Sequence, residues 1–485
     1  MKRVCMFILP FLLIFTGCLP TPEQDAVKQK DTNQLIEAVK EAEQGKEEPA
    51  QTPVKELMPR RFQCDFITEA RQVHVTADVP IRVLTEGVFP MLRVQRREVT
   101  NEERLTIYKR LFGSDAVYRY EYVLTREAIV REIESLLQEP TEEDKKEYLE
   151  DPENTEGTWA AYLQSRKDRI EVLRKKYLAM PDDGSPLPFE PWDGSVFTVG
   201  AEGNPGMVVG VEYSVPGRMV SYGTLLPDRP VDYHRQQEER TDTYSVYSFD
   251  KRLDMPGVER IPAEDYDKVH AGAAITARAA AEAALAPLKG LSSFALADIL
   301  WSHDADDEAV AKGITGKQAY LVRLTPVFHG ASMPYTGASA MDNPEGGGYT
   351  PIWHYEHVLA AVDGDGTILG MAWESPLTET EVISDTTTLL PFDKIMDLFA
   401  QQVNRIYSYE EAQGGILTVS DVQLGLFRIR EQGDLNSGLL VPVWFITGTY
   451  ASAGHPEDVS LLDESWPIAV INAINGNIID IYNGY

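Results

Sequence analysis

Two hydrophobic periodicities alternate along the chain, and their order predicts an α+β protein. Leu105, Ile107, Tyr108, Leu111 and Phe112 recur at helical spacing behind Thr100 and Glu103, which stand in capping-box register, and Gly113 stops the run. A second helical stripe starts at Thr125 and carries Ile129, Ile133, Leu136 and Leu137 up to Pro140, and a third, highly charged helix is predicted from Thr158 to Leu178. Period-two runs rich in β-branched residues predict strands within Phe66 to Val83 and at Met91 to Val94. From Gly194 to about Met255, short β-like runs alternate with Gly, Pro and Asp. Their aromatic residues Tyr233, Tyr244, Tyr247 and Phe249 are either half-buried strand residues or the lining of a groove.

The remainder of the chain holds a repeat. Its first copy reads helix (Ala273 to Leu285), strands (Phe294 to Trp301, Tyr320 to Phe328, His357 to Val362), an Asp365-Gly366 turn and a last strand (Thr367 to Trp373). The second reads helix (Asp393 to Ile406), strands (Leu417 to Ile429, Leu439 to Thr449, Ile468 to Ile474), an Asn475-Gly476 turn and Asn477 to Tyr482. Asp-Gly and Asn-Gly between β-branched runs predict type I′ hairpins, whose two central residues need positive φ. A helix followed by an antiparallel meander predicts a two-layer unit, and residues 391–485 are expected to fold as one. A Gly- and Ala-rich insertion from His329 to Tyr349 sets the first copy apart.

The first residues add an address. Lys2 and Arg3 precede an apolar run from Val4 to Phe15, too short to span about 30 Å of hydrocarbon, and small Gly17 stands before Cys18. Phe15-Thr16-Gly17-Cys18 resembles the lipobox of bacterial lipoproteins, which implies cleavage before Cys18, diacylglycerol on its sulfur and acyl chains such as palmitate. Two acyl chains hold a protein stably at a bilayer. The resulting expectation is a signal peptide (1–17), a flexible tether (18–60) with a transient helix at Gln34 to Gln44, an N-terminal α+β domain (61–190), a β-rich segment (191–260) and two repeats (261–390 and 391–485). The location expected is the extracytoplasmic face of the cell membrane, in the cell envelope. The formal charge of −31 argues against both nucleic acid and anionic lipid headgroups as partners. With Cys5 in the leader and Cys18 acylated, Cys64 has no partner for an intramolecular disulfide.

The order of the repeat resembles PepSY-like extracytoplasmic modules, most clearly in LVPVWFITGTY (440–450) followed by INAINGNIIDI (471–481). With VTADVPIRV (75–83), the helix after Thr100 and LTREAIVREI (124–133), the chain also resembles an uncharacterised family of Gram-positive lipoproteins. The resemblance implies binding of a protein or peptide and brings no catalytic residues.

Candidate chemistry fails on spacing. His354 and His357 in WHYEH match neither zincin pattern, and three apart on a strand they face opposite ways. Asp304 to Glu308 lacks the glycine and the twelfth-position Glu of a calcium loop, and Asp363 to Gly366 is explained by its turn. Gly313 to Gln318 lacks phosphate-loop spacing, Gly337 to Met341 is no nucleophile elbow, and Cys64 reads as a small packed residue. The reading is therefore a non-enzymatic, lipid-anchored envelope protein that binds a protein or peptide, with no catalytic, metal or cofactor residues assigned. The alternatives are an envelope hydrolase with dispersed acidic residues and a solute-binding lipoprotein.

Overall fold

A computed structural model describes residues 32–44, 52–97, 99–112, 117–119, 126–150, 158–180, 225–227, 258–302, 319–342, 350–409, 412–431, 434–482 and 484. Helix α1 (Thr32–Gln44) and the single turn α2 (Val54–Leu57) precede β1 (Arg61–Ile67), β2 (His74–Val83) and β3 (Met91–Arg96). Next come α3 (Asn101–Phe112), β4 (Val117–Arg119), α4 (Arg126–Leu137), α5 (Glu142–Glu150), α6 (Trp159–Ala179) and β5 (Leu225–Pro227). The chain continues through β6 (Val258–Arg260), α7 (Ala277–Leu285), β7 (Phe294–Ser302), β8 (Ala319–Phe328), β9 (Ala331–Ser332), β10 (Ser339–Asp342), β11 (Thr350–His354), β12 (His357–Asp363) and β13 (Ile368–Glu374). It ends with β14 (Leu377–Ser384), α8 (Phe392–Ile406), β15 (Ile416–Glu431), β16 (Asp434–Ser452), β17 (His455–Leu462) and β18 (Ala469–Asn472).

The protein is α+β, built on two large sheets. One runs β13-β12-β8-β7-β6 and is antiparallel throughout. Helix α7 lays Ala277, Ala280, Ala281 and Ala284 on one face of it, and these small residues let the helix approach Trp301, Tyr320 and Trp373 closely. The other sheet runs β1-β2-β15-β16-β3-β14, with β17 and β18 also paired to β16. Helix α8 covers this sheet with Ile395, Phe399 and Val403, and Phe399 meets Phe62 edge-on at 5.3 Å.

Each segment runs helix, then antiparallel strands, but β9, β10 and β11 come between β8 and β12, and β17 and β18 both pair with β16 rather than following one another. The second closes with residues 477–482 turning back on β18, where Ile479 N donates to Val470 O at 2.8 Å. The capping box forms as expected, with Glu103 N donating to Thr100 Oγ1 at 3.2 Å and Thr100 N to Glu103 Oε2 at 2.8 Å.

Three expectations are corrected. First, residues 61–190 and 391–485 do not divide where the sequence placed the boundary. Strand β2 pairs in parallel with β15, from His74 against Ile416 to Val83 against Leu424, so this sheet is mixed rather than antiparallel. Strand β3 pairs with β16 and β14, whereas α3, only a few residues later, packs Ile107 into the core under α7. Second, residues 18–60 are not all tether. Leu35, Ile36 and Val39 make α1 one-sided and are buried in the core of the second sheet, and Val54 N donates to Gly87 O at 2.9 Å. Third, the two turns are not type I′. Positive φ falls on Gly366 (97°) and Gly476 (78°) only, because Asp363 and Asn472 bridge longer loops: Gly366 N donates to Asp363 O, and Gly476 N to Asn472 O. The insertion after β8 packs against the second sheet. Ser332 N donates to Leu84 O at 2.8 Å, and the insertion crosses β15 so closely that a Cβ on Gly425 would lie 3.0 Å from Ser332 O and 2.9 Å from Pro334 Cδ.

Candidate functional site

Beside the last turn of α8 the second sheet lies open in a groove of about 400 Å³. The helix ends where Tyr407 leaves α geometry (φ −94°, ψ 37°), so the sheet beyond its last turn is not covered. Ile468, Val470, Ile479 and Ile481 form an apolar floor, and Ile406, 38% exposed, stands on the helix side. The opposite wall is a turn after β17. Asp463 Oδ1 accepts from Ser465 N at 2.8 Å and Trp466 N at 3.2 Å, and Tyr482 Oη donates to Ser465 O at 2.7 Å. Those bonds fix Trp466 with its ring 4.6 Å from that of Tyr482, yet 52% exposed. A large aromatic group held rigidly in water contributes contact area at low entropic cost when a ligand covers it.

Each side of the groove carries one charge. Arg405 donates to Gln402 Oε1 at 2.6 Å, and Asp480 Oδ1 accepts from Tyr482 N at 2.9 Å. Beneath the helix end Tyr407 stacks on Tyr450 at 4.7 Å, and burial pushes the Tyr407 hydroxyl well above the usual phenol range, with Tyr409 and Tyr450 adding to it. Among the described residues Asp480 is the one carboxylate of the lining, and they assemble no carboxylate pair there.

The same turn holds a second group of charges. Glu464, next to the wall, faces the first sheet, where it pairs with Arg323 and lies 3.2 Å from Arg260 Nη2. Asp298 Oδ2 is 2.9 Å from Arg260 and 3.6 Å from Arg323. Arg323 also lies over the Tyr335 ring at 4.4 Å, and Thr336 Oγ1 donates to Glu464 O at 2.6 Å. Arg323, Asp298 and Glu464 are buried, and with Arg260 they balance in charge, which is how buried ions are tolerated. This clasp joins the two sheets directly behind Trp466.

The strongly perturbed carboxyl lies elsewhere. Glu356 is buried between the sheets, where Trp373 Nε1 donates to Oε1 at 2.9 Å and Leu377 N to Oε2 at 3.0 Å. Burial pushes its pKa up from 4.5 to about 8, against the opposing pull of those two bonds and of Arg97. The folded protein thus holds a proton that the unfolded chain has released between pH 4.5 and 8. The stability it contributes is complete below pH 4.5 and is lost as pH rises through 8. Glu356→Gln, which cannot ionise, should flatten that loss. Its advantage over wild type should grow with pH by up to about 1.4 kcal/mol per unit. Urea unfolding at several pH values checks this, and parallel profiles for the two proteins would refute it.

Of the residues singled out by sequence, Cys18, Asp304 to Glu308, Gly313 to Gln318, Tyr233, Tyr244, Tyr247 and Phe249 lie outside the described residues. His354 and His357 fall on different strands, and buried His357 sets Nδ1 3.0 Å from Tyr355 O. Asp363 and Asp365 cap their own turn through Gly364 N at 2.6 Å and Thr367 N at 2.8 Å. Cys64 sits half-buried on β1, its thiol pushed up to about 11 by burial and then by Asp65, which disfavours the reactive thiolate. The groove was not singled out. Its one sequence signal is Trp466, an aromatic set between Ser465 and Pro467 outside any strand pattern.

No family model matches the chain, and no curated protein matches it. A crystal structure of an uncharacterized protein from Eubacterium rectale ATCC 33656 is similar over 93% of this chain and 99% of that one, at 10% identity and a TM-score of 0.43. A likeness of that size carries no argument about fold or function.

Proposed function

We propose that the protein is an exported lipoprotein, held at the cytoplasmic membrane by diacylglycerol on Cys18, that binds an extended peptide segment of an envelope protein without chemical turnover. The two C-terminal units are read as PepSY-like modules, and the second one carries the site. The observation behind this reading is the groove beside α8, with its apolar floor, its fixed and exposed Trp466, and Arg405 and Asp480 at its sides. Apolar and aromatic side chains of a peptide would fill the floor against Trp466, and the two charges would select flanking residues of opposite sign. The hydrolase alternative asks for perturbed carboxylates grouped in a cleft, and Glu356 is buried away from the groove.

A random peptide library displayed against residues 19–485 tests the proposal. Selected peptides should bind wild type and lose about 30-fold or more in affinity to Trp466→Ala, the effect of removing a central aromatic anchor. Peptides that bind both proteins equally, or that are cleaved during the assay, would overturn it.

A further inference from the structure

The antiparallel pair α4 and α6 carries a surface that peptide binding does not use. At its two ends each helix is capped by the other: Arg126 Nη2 donates to Met180 O at 2.7 Å, and Arg166 Nη2 donates to Leu136 O at 3.0 Å and Gln138 O at 2.9 Å. Arg169 pairs with Glu132 at 2.8 Å, and Ile129, Leu173 and Met180 fill the seam. Those roles leave Arg131, Lys167, Arg174 and Lys175, all exposed and without an ion pair among the described residues.

Apolar side chains face water beside them. Leu178 is 82% exposed, Val172 43% and Val130 39%. Between the helices opens a hollow of about 310 Å³, lined by Val130, Ile133, Tyr177 and Leu178 and bordered by Arg174 as its only charged residue among those described. On α6 the stripe i, i+4, i+7, i+11 reads Lys167, Glu171, Arg174, Leu178, so cations and the exposed leucine share a face with one acid among them.

Exposed leucine beside unpaired cations fits an anionic lipid surface, where apolar side chains enter the headgroup boundary and Lys and Arg hold phosphates. The charge of the whole chain, −31, opposes this. At physiological ionic strength, however, charges more than about 8 Å away are largely screened, so the local distribution decides. The length of the tether agrees. With α1 packed, thirteen residues (19–31) separate Cys18 from Thr32. They reach at most about 45 Å. A protein anchored at Cys18 would therefore remain near its bilayer, and this part of the argument rests on the anchor proposed above.

We propose that the tip of α4 and α6 around Leu178, Val130, Arg174 and Lys175 docks on anionic phospholipid headgroups, giving the lipoprotein a second contact with its membrane. Residues 19–485 retain every described element and lack both the leader and Cys18, so they isolate this contact. In co-sedimentation they should bind vesicles of mixed phosphatidylglycerol and phosphatidylcholine about tenfold or more tightly than phosphatidylcholine alone. Binding should weaken as salt rises. The double substitution Arg174→Glu and Lys175→Glu should reduce partitioning about tenfold or more, and Leu178→Ser several-fold, with unchanged circular-dichroism melting. Equal affinity for both vesicles, indifference to the charge reversals, or binding to neither vesicle would each overturn the proposal. The anchor is read separately: Cys18→Ala should leave unprocessed precursor or release protein from the membrane fraction of cells. A variant that both matures and fractionates as wild type does would count against the anchor and leave the vesicle result standing.

Discussion

Residues 391–485 produced alone should fail to fold, although they contain a helix and a meander that look self-sufficient. In the intact protein β15 is paired along its outer edge with β2 from His74 to Val83, and β16 is paired with β3 at Ser437 to Leu440. Removing residues before 391 frees both edges and strips Phe62 and Phe66 from Phe399, which they meet at 5.3 Å and 6.5 Å. It also uncovers one face of Leu424 to Ile429, a run buried throughout because the insertion from the first unit lies across that side. Each large apolar side chain returned to water costs about 2 kcal/mol, and a domain holds only about 5–15 kcal/mol in reserve. The fragment should give collapsed, undispersed amide resonances, whereas the full chain gives dispersed ones. A cooperatively melting fragment would show that the N-terminal strands are ornament rather than part of the core.

The second large effect is expected at the clasp. Glu464→Gln keeps the shape of the side chain and removes its charge, leaving buried Arg323 with Asp298 at 3.6 Å and Arg260 competing for that same carboxylate. Breaking a buried pair by removing one partner typically costs about 3–5 kcal/mol, whereas an exposed pair contributes under about 1. The variant should therefore unfold at clearly lower urea, by about 3 kcal/mol. Because Glu464 and Trp466 share one turn, peptide affinity should fall as well. A cost below about 1 kcal/mol would mean that water reaches the clasp and that the two sheets are held by packing alone.

Local signals were legible and long-range pairings were not. Thr100 with Glu103, the alanine stripe of α7 and the Ile395-Phe399-Val403 face of α8 are decided within one or two turns of chain, and each forms where its pattern places it. The pairing of β2 with β15 joins residues more than three hundred positions apart, and nothing in VTADVPIRV distinguishes a parallel neighbour from an antiparallel one. Strand β15 carried a partial hint: its alternation at Ile416 to Val422 gives way to continuous burial at Leu424 to Ile429, the mark of a strand covered on both faces. The place of α1 in the core was hidden by composition, since Leu35, Ile36 and Val39 are three apolar residues in a long polar stretch. The groove was illegible for a related reason. It is defined by where α8 stops and by how one turn is pinned by Asp463 and Tyr482, and neither is a motif.

Whether the groove beside α8 is where this protein meets its partner can be read by photo-crosslinking in intact cells. A photo-reactive residue at Ile406, on the groove, is compared with one at Val459, which is 56% exposed on β17 outside it. A discrete adduct with an envelope protein is expected from position 406 and none from 459, with loss of the adduct when Trp466→Ala is added. Equal adducts from both positions, or an adduct at 406 that survives Trp466→Ala, would contradict that expectation.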